Sequence, residues 1–600
     1  MPAHRLLASK ETVPMPAHRL LVSMFCMLLT ADALAAASPQ PVIEGELKLY
    51  HPITITFEGP ATSETATPNP FTDYRLDVTF RQGERTVLVP GYWAGDGDAA
   101  DTSADAGSKW RVHFTPDRIG RWEYTAGFRQ GMWVAVAEHP KAGDRTSFHG
   151  AAGSFDIGPT DKRVPDFRAR GLLQYVGHRY LQFSNGEYFV KGGADSPENV
   201  LGYYEFDATP PSHRFDAHAG DFREGDPTWA GGKGRNIIGA LNYLGSRGVN
   251  SVYMLTMNVR GDGNDTWPWI DRKDHTRFDV SKLAQWEVVF SHMDSLGIML
   301  HLVTQETEND QLLDDGELGP HRKLYYRELV ARFGHHLGIT WNLGEENTNT
   351  TGQLKAFARQ LDGLDAYDHL IVVHTFPGSR QHQRVYEPLL GDEHLGGASM
   401  QNAMDSIGQR VARWVVASSA AGRPWVVSFD EQAPAGAGVK PDADDPQHDK
   451  PRRSLWQTLM AGGAGAEWYF GYGHAHHDID CEDWRSRDRM WDLTRHALTF
   501  FKAHLPFDRM EPADSLAGEG QHCLARVGEV YALYLPQGGQ GTLDLTGQEG
   551  RFEVGWYDPR AGGPLQAGSV TSVTGGAKAD LGAAPSQGGQ DWVVLVRKAQ

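Results

Sequence analysis

The chain has 600 residues, 40% hydrophobic and 22% charged, which is enough to bury several cores without disulfide support. Its net charge of −19 leaves no basic excess to displace counterions from phosphate, so nucleic acid is excluded as an expected partner. The 17 tryptophans and 20 tyrosines suit stacking on sugar faces and equally suit large cores, so composition alone does not choose a function.

At the N-terminus, Met1-Pro-Ala-His-Arg-Leu-Leu7 recurs as Met15-Pro-Ala-His-Arg-Leu-Leu21, which makes Met15 an alternative start. His18 and Arg19 then precede an apolar run from Leu20 to Leu29 and the small residues around Ala33-Leu34-Ala35. This reads as a secretory signal peptide over residues 1–37, too short to span a bilayer. It predicts a secreted or periplasmic protein with no membrane span in the mature chain. Beyond Cys26, which lies inside that segment, only Cys481 and Cys523 remain, too few for a disulfide framework.

Residues 41–160 read as short strands separated by Gly, Pro and Asp clusters, and Ile53–Phe57, Tyr74–Phe80 and Trp110–Phe114 alternate apolar and polar residues. That pattern predicts an antiparallel β-sandwich. The Asp-rich loop Gly95–Gly107 offers acids for calcium, but a solvated loop is the simpler reading. Two stretches, Val89-Pro-Gly-Tyr-Trp-Ala-Gly-Asp-Gly97 and Trp110-Arg-Val-His-Phe-Thr-Pro-Asp-Arg-Ile-Gly-Arg-Trp-Glu-Tyr124, resemble the N-terminal DUF5060 domain. The resemblance implies a glycoside hydrolase barrel behind the sandwich.

Past a linker at Gly158–Asp166 the rhythm changes. Eight candidate strands, Tyr188–Gly192, Asn250–Leu255, Ile298–Thr304, Ile339–Leu343, Leu370–Thr375, Ala398–Gln401, Trp425–Phe429 and Ala466–Phe470, alternate with helical stretches such as Ser281–Leu296 and His321–Leu337. Over residues 165–505 this predicts a (β/α)8 TIM barrel with its active site where the strands end. A doubly wound sheet is the alternative, weakened because no dinucleotide glycine fingerprint follows the first strand. From Pro506 the helices stop, and Val530–Leu535, Gly541–Leu545, Arg551–Trp556 and Asp591–Val596 predict a C-terminal β-sandwich over residues 506–600, with packing support as its expected role.

If the barrel forms, the residues past its strands meet at one mouth. The first strand contributes Asp195 and Glu198, the second Asn258, and the third Gln305 and Glu306. Asn342, Glu345 and Glu346 follow from the fourth, His374 from the fifth, Gln401 from the sixth, Asp430 and Glu431 from the seventh, and Trp468 from the eighth. Amides, acids and aromatic faces at nearly every strand end are what a glycan pocket requires, so the expected partner is a carbohydrate. On the fourth strand Ile339, Trp341 and Leu343 share one face and Asn342 the other; if the alternation survives Gly344, Glu346 points inward and Glu345 away.

A glutamate ending strand four and an acid ending strand seven after Pro424-Trp-Val-Val-Ser-Phe resemble the retaining glycosidases of the clan A barrels. The resemblance implies Glu346 as acid/base and Glu431 as nucleophile of an O-glycosyl hydrolase that needs no cofactor. Retention requires the two carboxyl groups about 5–5.5 Å apart, and inversion roughly 6.5–9.5 Å. The chain departs from the clan pattern in having Glu345 where asparagine is usual, leaving Asn342 or Asn347 to bind the sugar 2-hydroxyl. On strand seven, alternation with Ser428 favours Asp430 facing inward, whereas the resemblance favours Glu431. His474-Ala-His-His-Asp-Ile-Asp480 invites a metal reading but matches no ligand spacing, so substrate contact is expected there instead. Gly261–Trp269 reads either as an aromatic lid or as a packed loop. A polysaccharide lyase, or a carbohydrate-binding scaffold without catalysis, are the alternatives to a hydrolase.

Overall fold

The computed structural model describes residues 40–586 and 589–599, so the predicted signal segment lies outside the described residues. Eight parallel strands close into a barrel: β1 (Lys191–Ala194), β2 (Ser251–Leu255), β3 (Met299–Val303), β4 (Ile339–Asn342), β5 (Leu370–Thr375), β6 (Gly397–Ala403), β7 (Val426–Ala433) and β8 (Gly465–Trp468). Each is followed by a helix: α1 (Arg235–Arg247), α2 (Val280–Leu296), α3 (Pro320–Phe333), α4 (Thr351–Leu364), α5 (Ser379–Tyr386), α6 (Ile407–Ala420), α7 (Asp449–Met460) and α8 (Asp488–His504). All eight predicted strands fall on these eight. The β1–β8 pairing, Lys191 with Gly465 through Ala194 with Trp468, closes the circle.

The local signals are ordinary ones. Asp279 caps α2 by accepting the Lys282 amide at 2.9 Å, and Gly297, at φ 72°, ends it in the left-handed conformation that a side chain disfavours. Thr350 and Gln353 form a reciprocal capping box, which starts α4 soon after the β4 acids. Along β4, Ile339 and Trp341 face the helices, and the Trp341 indole donates to Asp365 at 2.8 Å. The inward face of the barrel is polar: Lys191, Ser251, His301, Asn342, Ser428, Asp430 and Glu467 meet along its axis.

In front of the barrel, an eight-stranded antiparallel sheet folds over on itself. Ile53, Ile55 and Phe57 point into the fold while Thr54 and Thr56 point out, the alternation a one-sided sheet needs. Phe80 stacks on Phe114 at 4.0 Å and Phe128 on Phe148 at 4.2 Å between the layers. In the Gly95–Gly107 loop, Asp96 is taken up by the Asp98 amide at 2.8 Å and the Thr102 hydroxyl at 2.7 Å. This domain rests on the flank of the barrel. Arg327 of α3 donates to the Leu76 carbonyl at 2.7 Å and to Asp77 at 2.8 Å, and Glu64 accepts the Val280 amide that opens α2.

Behind the barrel, a six-stranded antiparallel sheet faces a two-stranded one around Trp556 and Trp592. It is fastened to α7: Arg452 makes a two-pronged ion pair with Asp591 at 2.7 and 3.0 Å, and Trp456 stacks near Tyr534 at 5.8 Å. Cys481 and Cys523 are both free and buried. Among the described residues no helix is long and apolar enough to cross a membrane.

Candidate active site

The C-terminal ends of the strands bring acids together. Carboxylate oxygens of Glu198 after β1, Glu345 after β4 and Glu431 on β7 all lie within 4.8 Å of one another. Glu431 accepts a short hydrogen bond from the Gln401 amide of β6, and its second oxygen stands 3.3 Å from His374 Nε2 of β5. The other imidazole nitrogen, Nδ1, is 3.3 Å from the Tyr253 hydroxyl, which also reaches Glu345 at 3.4 Å. His374 and Gln401 therefore sit where strand-end reasoning placed them.

Two backbone features decide how the acids are presented. Between β6 and β7 the register slips: Met400 pairs with Phe429, but Gln401 pairs with Glu431, so Asp430 is an extra residue. This β-bulge breaks the alternation and lets Asp430 and Glu431 both face inward, at different depths. Asp430 turns down the barrel axis to Lys191 Nζ at 2.6 Å and accepts the Ser428 hydroxyl at 2.6 Å, whereas Glu431 reaches the mouth. On β4, Gly344 has φ 138° and Glu346 φ 41°. A Cβ at Gly344 would stand 2.6 Å from Gln305 Cγ, so the turn needs glycine twice over. The period-two pattern does not survive that turn, and the expectation that Glu345 points away is corrected: its carboxyl lies at the mouth beside Glu198 and Glu431. Glu346 is there too, with Glu431 as the strongest neighbouring charge upon it.

Other predicted residues serve the walls rather than the mouth. All four hydrogen-bonding positions of the Asn258 amide are used within its own loop, by the Asp262 carbonyl, the Asp265 carboxylate and the amides of Asp265 and Thr266 at 2.7–2.9 Å. Gln305 is fully buried between Asn349 and Arg322. Asn342 lies one layer down, 3.1 Å from His301 Nε2 and accepting the Gly344 amide at 3.2 Å. Glu306 accepts from Asn309 at 3.2 Å and packs against Gly261. Trp468 faces outward, donating to Thr494 of α8 at 2.8 Å, because inward Glu467 precedes it on the strand. Asn258, Gln305, Asn342 and Trp468 thus spend their polar groups on the scaffold, whereas Glu306 stays close enough to the mouth for its charge to act on Glu345.

Strand-end reasoning also missed residues. Tyr253 lies inside β2, and period-two counting from Ser251 would have put it on the inner face. Asp478 comes from the long loop after β8, within the histidine-rich run His474–Asp480. Its Oδ1 accepts the Glu198 amide at 3.2 Å, while His474 bonds the Ala437 carbonyl at 2.6 Å and His477 pairs with Asp480 at 3.3 Å. Among the described residues, the groupings of histidine and carboxylate ligands close enough to share an ion include none of those histidines. Trp267 and Trp269 are buried, which makes Gly261–Trp269 a packed loop rather than a lid.

Burial, then mutual repulsion, sets the electrostatics. Burial pushes the carboxyls of Asp195, Glu198 and Glu345 well above the usual carboxylate range, with Glu431 a common contributor, and Glu346 is raised for the same two reasons. Asp478 is pushed up to about 8, by burial first. One layer below the logic reverses: burial opposes ionisation of Glu467, but Lys191 at 3.1 Å and His301 at 2.7 Å overcome it and hold the group at about 2. The mouth thus collects acids that retain protons, above a floor of fixed charge. Proton-holding acids beside an amide-held carboxylate are what acid/base chemistry at an acetal requires.

No curated protein sequence matches the chain. Residues 46–129 match the family model DUF5060, described as "Domain of unknown function (DUF5060)", and residues 513–597 match "Putative collagen-binding domain of a collagenase". Among solved structures, a "putative glycoside hydrolase from Bacteroides vulgatus ATCC 8482" superposes with TM-score 0.62 at 15% identity, covering 92% of this chain and 99% of that one. A "glycoside hydrolase family 5" structure from the same organism gives 0.52 at 16% identity over 73% and 95%, and a third named "Glycoside hydrolase" gives 0.52 at 14% over 73% and 99%. The chain therefore carries a DUF5060 domain in front of a (β/α)8 barrel, in the multidomain fold of these glycoside hydrolase structures.

Proposed function

We propose that this protein is an exported glycoside hydrolase that cleaves O-glycosidic bonds of a poly- or oligosaccharide with retention of configuration. The observation that carries the reading is the convergence of strand-end carboxylates from β1, β4 and β7 to within 4.8 Å. Glu431 is the nucleophile: the Gln401 amide fixes one oxygen, and the other is free to attack the anomeric carbon. Glu346 is the acid/base. Burial and the charge of Glu431 favour its protonated form, so it can give a proton to the leaving oxygen and then take one from water. His374 Nε2, 3.3 Å from Glu431, is in turn steadied by the Tyr253 hydroxyl at 3.3 Å, which also reaches Glu345.

A second assignment, Glu345 as acid/base, is favoured by its distance, since one of its oxygens lies within 4.8 Å of a Glu431 oxygen, nearer the spacing of retaining than of inverting pairs. Hydrolysis of activated aryl glycosides separates the two. The acid/base variant keeps turning over substrates whose leaving group needs no proton, and its partner does not. Reducing-end release from a polysaccharide panel tests the whole reading, and silence across the panel together with intact folding would overturn it. The lyase alternative predicts an unsaturated, ultraviolet-absorbing product.

A further inference from the structure

Away from the mouth, where the chain enters β4, lies a cluster that the hydrolytic steps do not use. Glu287 and Asp294 are seven residues apart on α2 and so share one face of the helix. Against that face the turn between α3 and β4 sets two adjacent imidazoles, His335 and His336, both buried. Glu287 Oε1 is 3.2 Å from His335 Nε2, and its Oε2 is 3.1 Å from His336 Nε2. One ligand atom from each of these three residues lies within 4.8 Å of the other two. The second nitrogen of His336 is already engaged: Nδ1 donates to Asp294 at 2.9 Å. That bond fixes the ring and aims Nε2 at Glu287, the arrangement in which an outer carboxylate steadies a metal-bound histidine. Among the described residues neither Glu287 nor Asp294 makes an ion pair with lysine or arginine.

We propose that Glu287, His335 and His336 form a site for one divalent transition-metal ion of the zinc type, with Asp294 as its outer support. Two imidazoles and a carboxylate are a zinc donor set, with nitrogen at about 2.0–2.1 Å and oxygen at about 2.0–2.2 Å in a tetrahedron. Donors placed in that way are about 3.3 Å apart. The separations at Glu287 are 3.2 and 3.1 Å, so an ion enters with little movement of the side chains. The nitrogen donors select against calcium and magnesium, which take oxygen. Glu287 also lines a cavity of about 240 Å³ between the sandwich and α2, which gives an ion a way in and a water molecule room as the fourth ligand. Arg332 lines the same cavity but is paired with Glu328 at 3.1 Å. The ion ties α2 to the turn that opens β4. The sandwich rests on that turn, since the Thr115 hydroxyl donates to the His335 carbonyl at 2.6 Å and the His113 ring packs 4.4 Å from that of His335. The site is independent of the glycosidase reading.

The test is calorimetric titration of the full, untagged, chelator-stripped chain with zinc chloride and, for comparison, calcium chloride, together with thermal unfolding and anomalous diffraction at the zinc edge. Zinc is expected to bind at least ten-fold more tightly than calcium and to raise the thermal midpoint by about 2 °C or more. His335→Asn and Glu287→Gln should each weaken zinc binding ten-fold or more and remove that rise. Glu431→Gln should leave both intact, because the acids at the mouth are a separate group. Zinc binding that survives both His335→Asn and Glu287→Gln would overturn the proposal. So would the absence of zinc binding, which would mean that a proton on His336 is all the cluster holds. Should either variant fail to fold, the anomalous map of the wild-type chain decides: a peak bounded by Glu287, His335 and His336 supports the site, and peaks only at the mouth or in the His474–Asp480 loop overturn it.

Discussion

Replacing Lys191 with methionine probes the floor on which the site is built. Lys191 Nζ lies 2.6 Å from Asp430 and 3.1 Å from Glu467, and both acids are 0% exposed. Although burial opposes ionisation, Lys191 and His301 hold Glu467 at about 2 instead of 4.5. At about 1.4 kcal/mol for each tenfold change in proton affinity, this favours the folded state by about 3 kcal/mol. Because the folded value is depressed, that contribution is complete above pH 4.5 and disappears as the pH falls toward 2. Lys191→Met strands two buried carboxylates, so the expected loss at pH 7 is about 3–5 kcal/mol. Urea unfolding followed by tryptophan fluorescence measures it, and the gap to wild type should narrow below pH 4.5. Adding Asp430→Asn and Glu467→Gln to the same chain should recover most of the loss, since the charges needing a partner are gone. A loss under about 1 kcal/mol at pH 7, or a gap that ignores pH, would refute the reasoning.

Four further outcomes follow from the site. Glu431→Gln should lower turnover roughly 10⁴-fold, and azide added to Glu431→Ala should yield a glycosyl azide; unchanged turnover in Glu431→Gln would dismiss the nucleophile assignment. Glu346→Ala should lose roughly 10²- to 10⁴-fold on substrates with poor leaving groups while keeping most activity on activated aryl glycosides, as steady-state kinetics would record. Because the proton affinity of Glu346 is raised and the acid works protonated, the alkaline limb of the kcat/KM profile should lie above the ordinary 4.5, and a limb at or below that value contradicts the role. Trp468→Phe should leave KM within about two-fold yet destabilise the barrel by about 1 kcal/mol, through the lost bond to Thr494; a large KM effect would mean that the indole meets substrate after all.

The architecture was largely legible because barrel strands are short runs of strand-forming residues alternating with helical stretches, and Leu370–Thr375 fell on the observed β5 without shift. The site was legible only in part. Period-two counting handled Trp341 and Asn342 but failed at Gly344 and at Asp430, where one glycine torsion and one inserted residue reset the phase. Neither event leaves a compositional mark. Asn258 and Gln305 were misread for another reason: an amide that braces a loop and an amide that binds a sugar are the same residue type, and only the tally of partners separates them. Asp478 reached the mouth through a loop whose path no local pattern encodes.

The extra residue in β7 divides that strand into two independent registers. Below Asp430 the strand keeps time with its neighbours and anchors the ion pair to Lys191; above it, Glu431 to Ala433 keep a shifted time with Gln401 to Ala403. Reactivity and foundation are thus uncoupled within a single strand, so loops at the rim can be lengthened or exchanged over generations without disturbing what supports them. Deleting one amino acid there would fuse the two phases and leave the chain to choose between a sound base and a working edge.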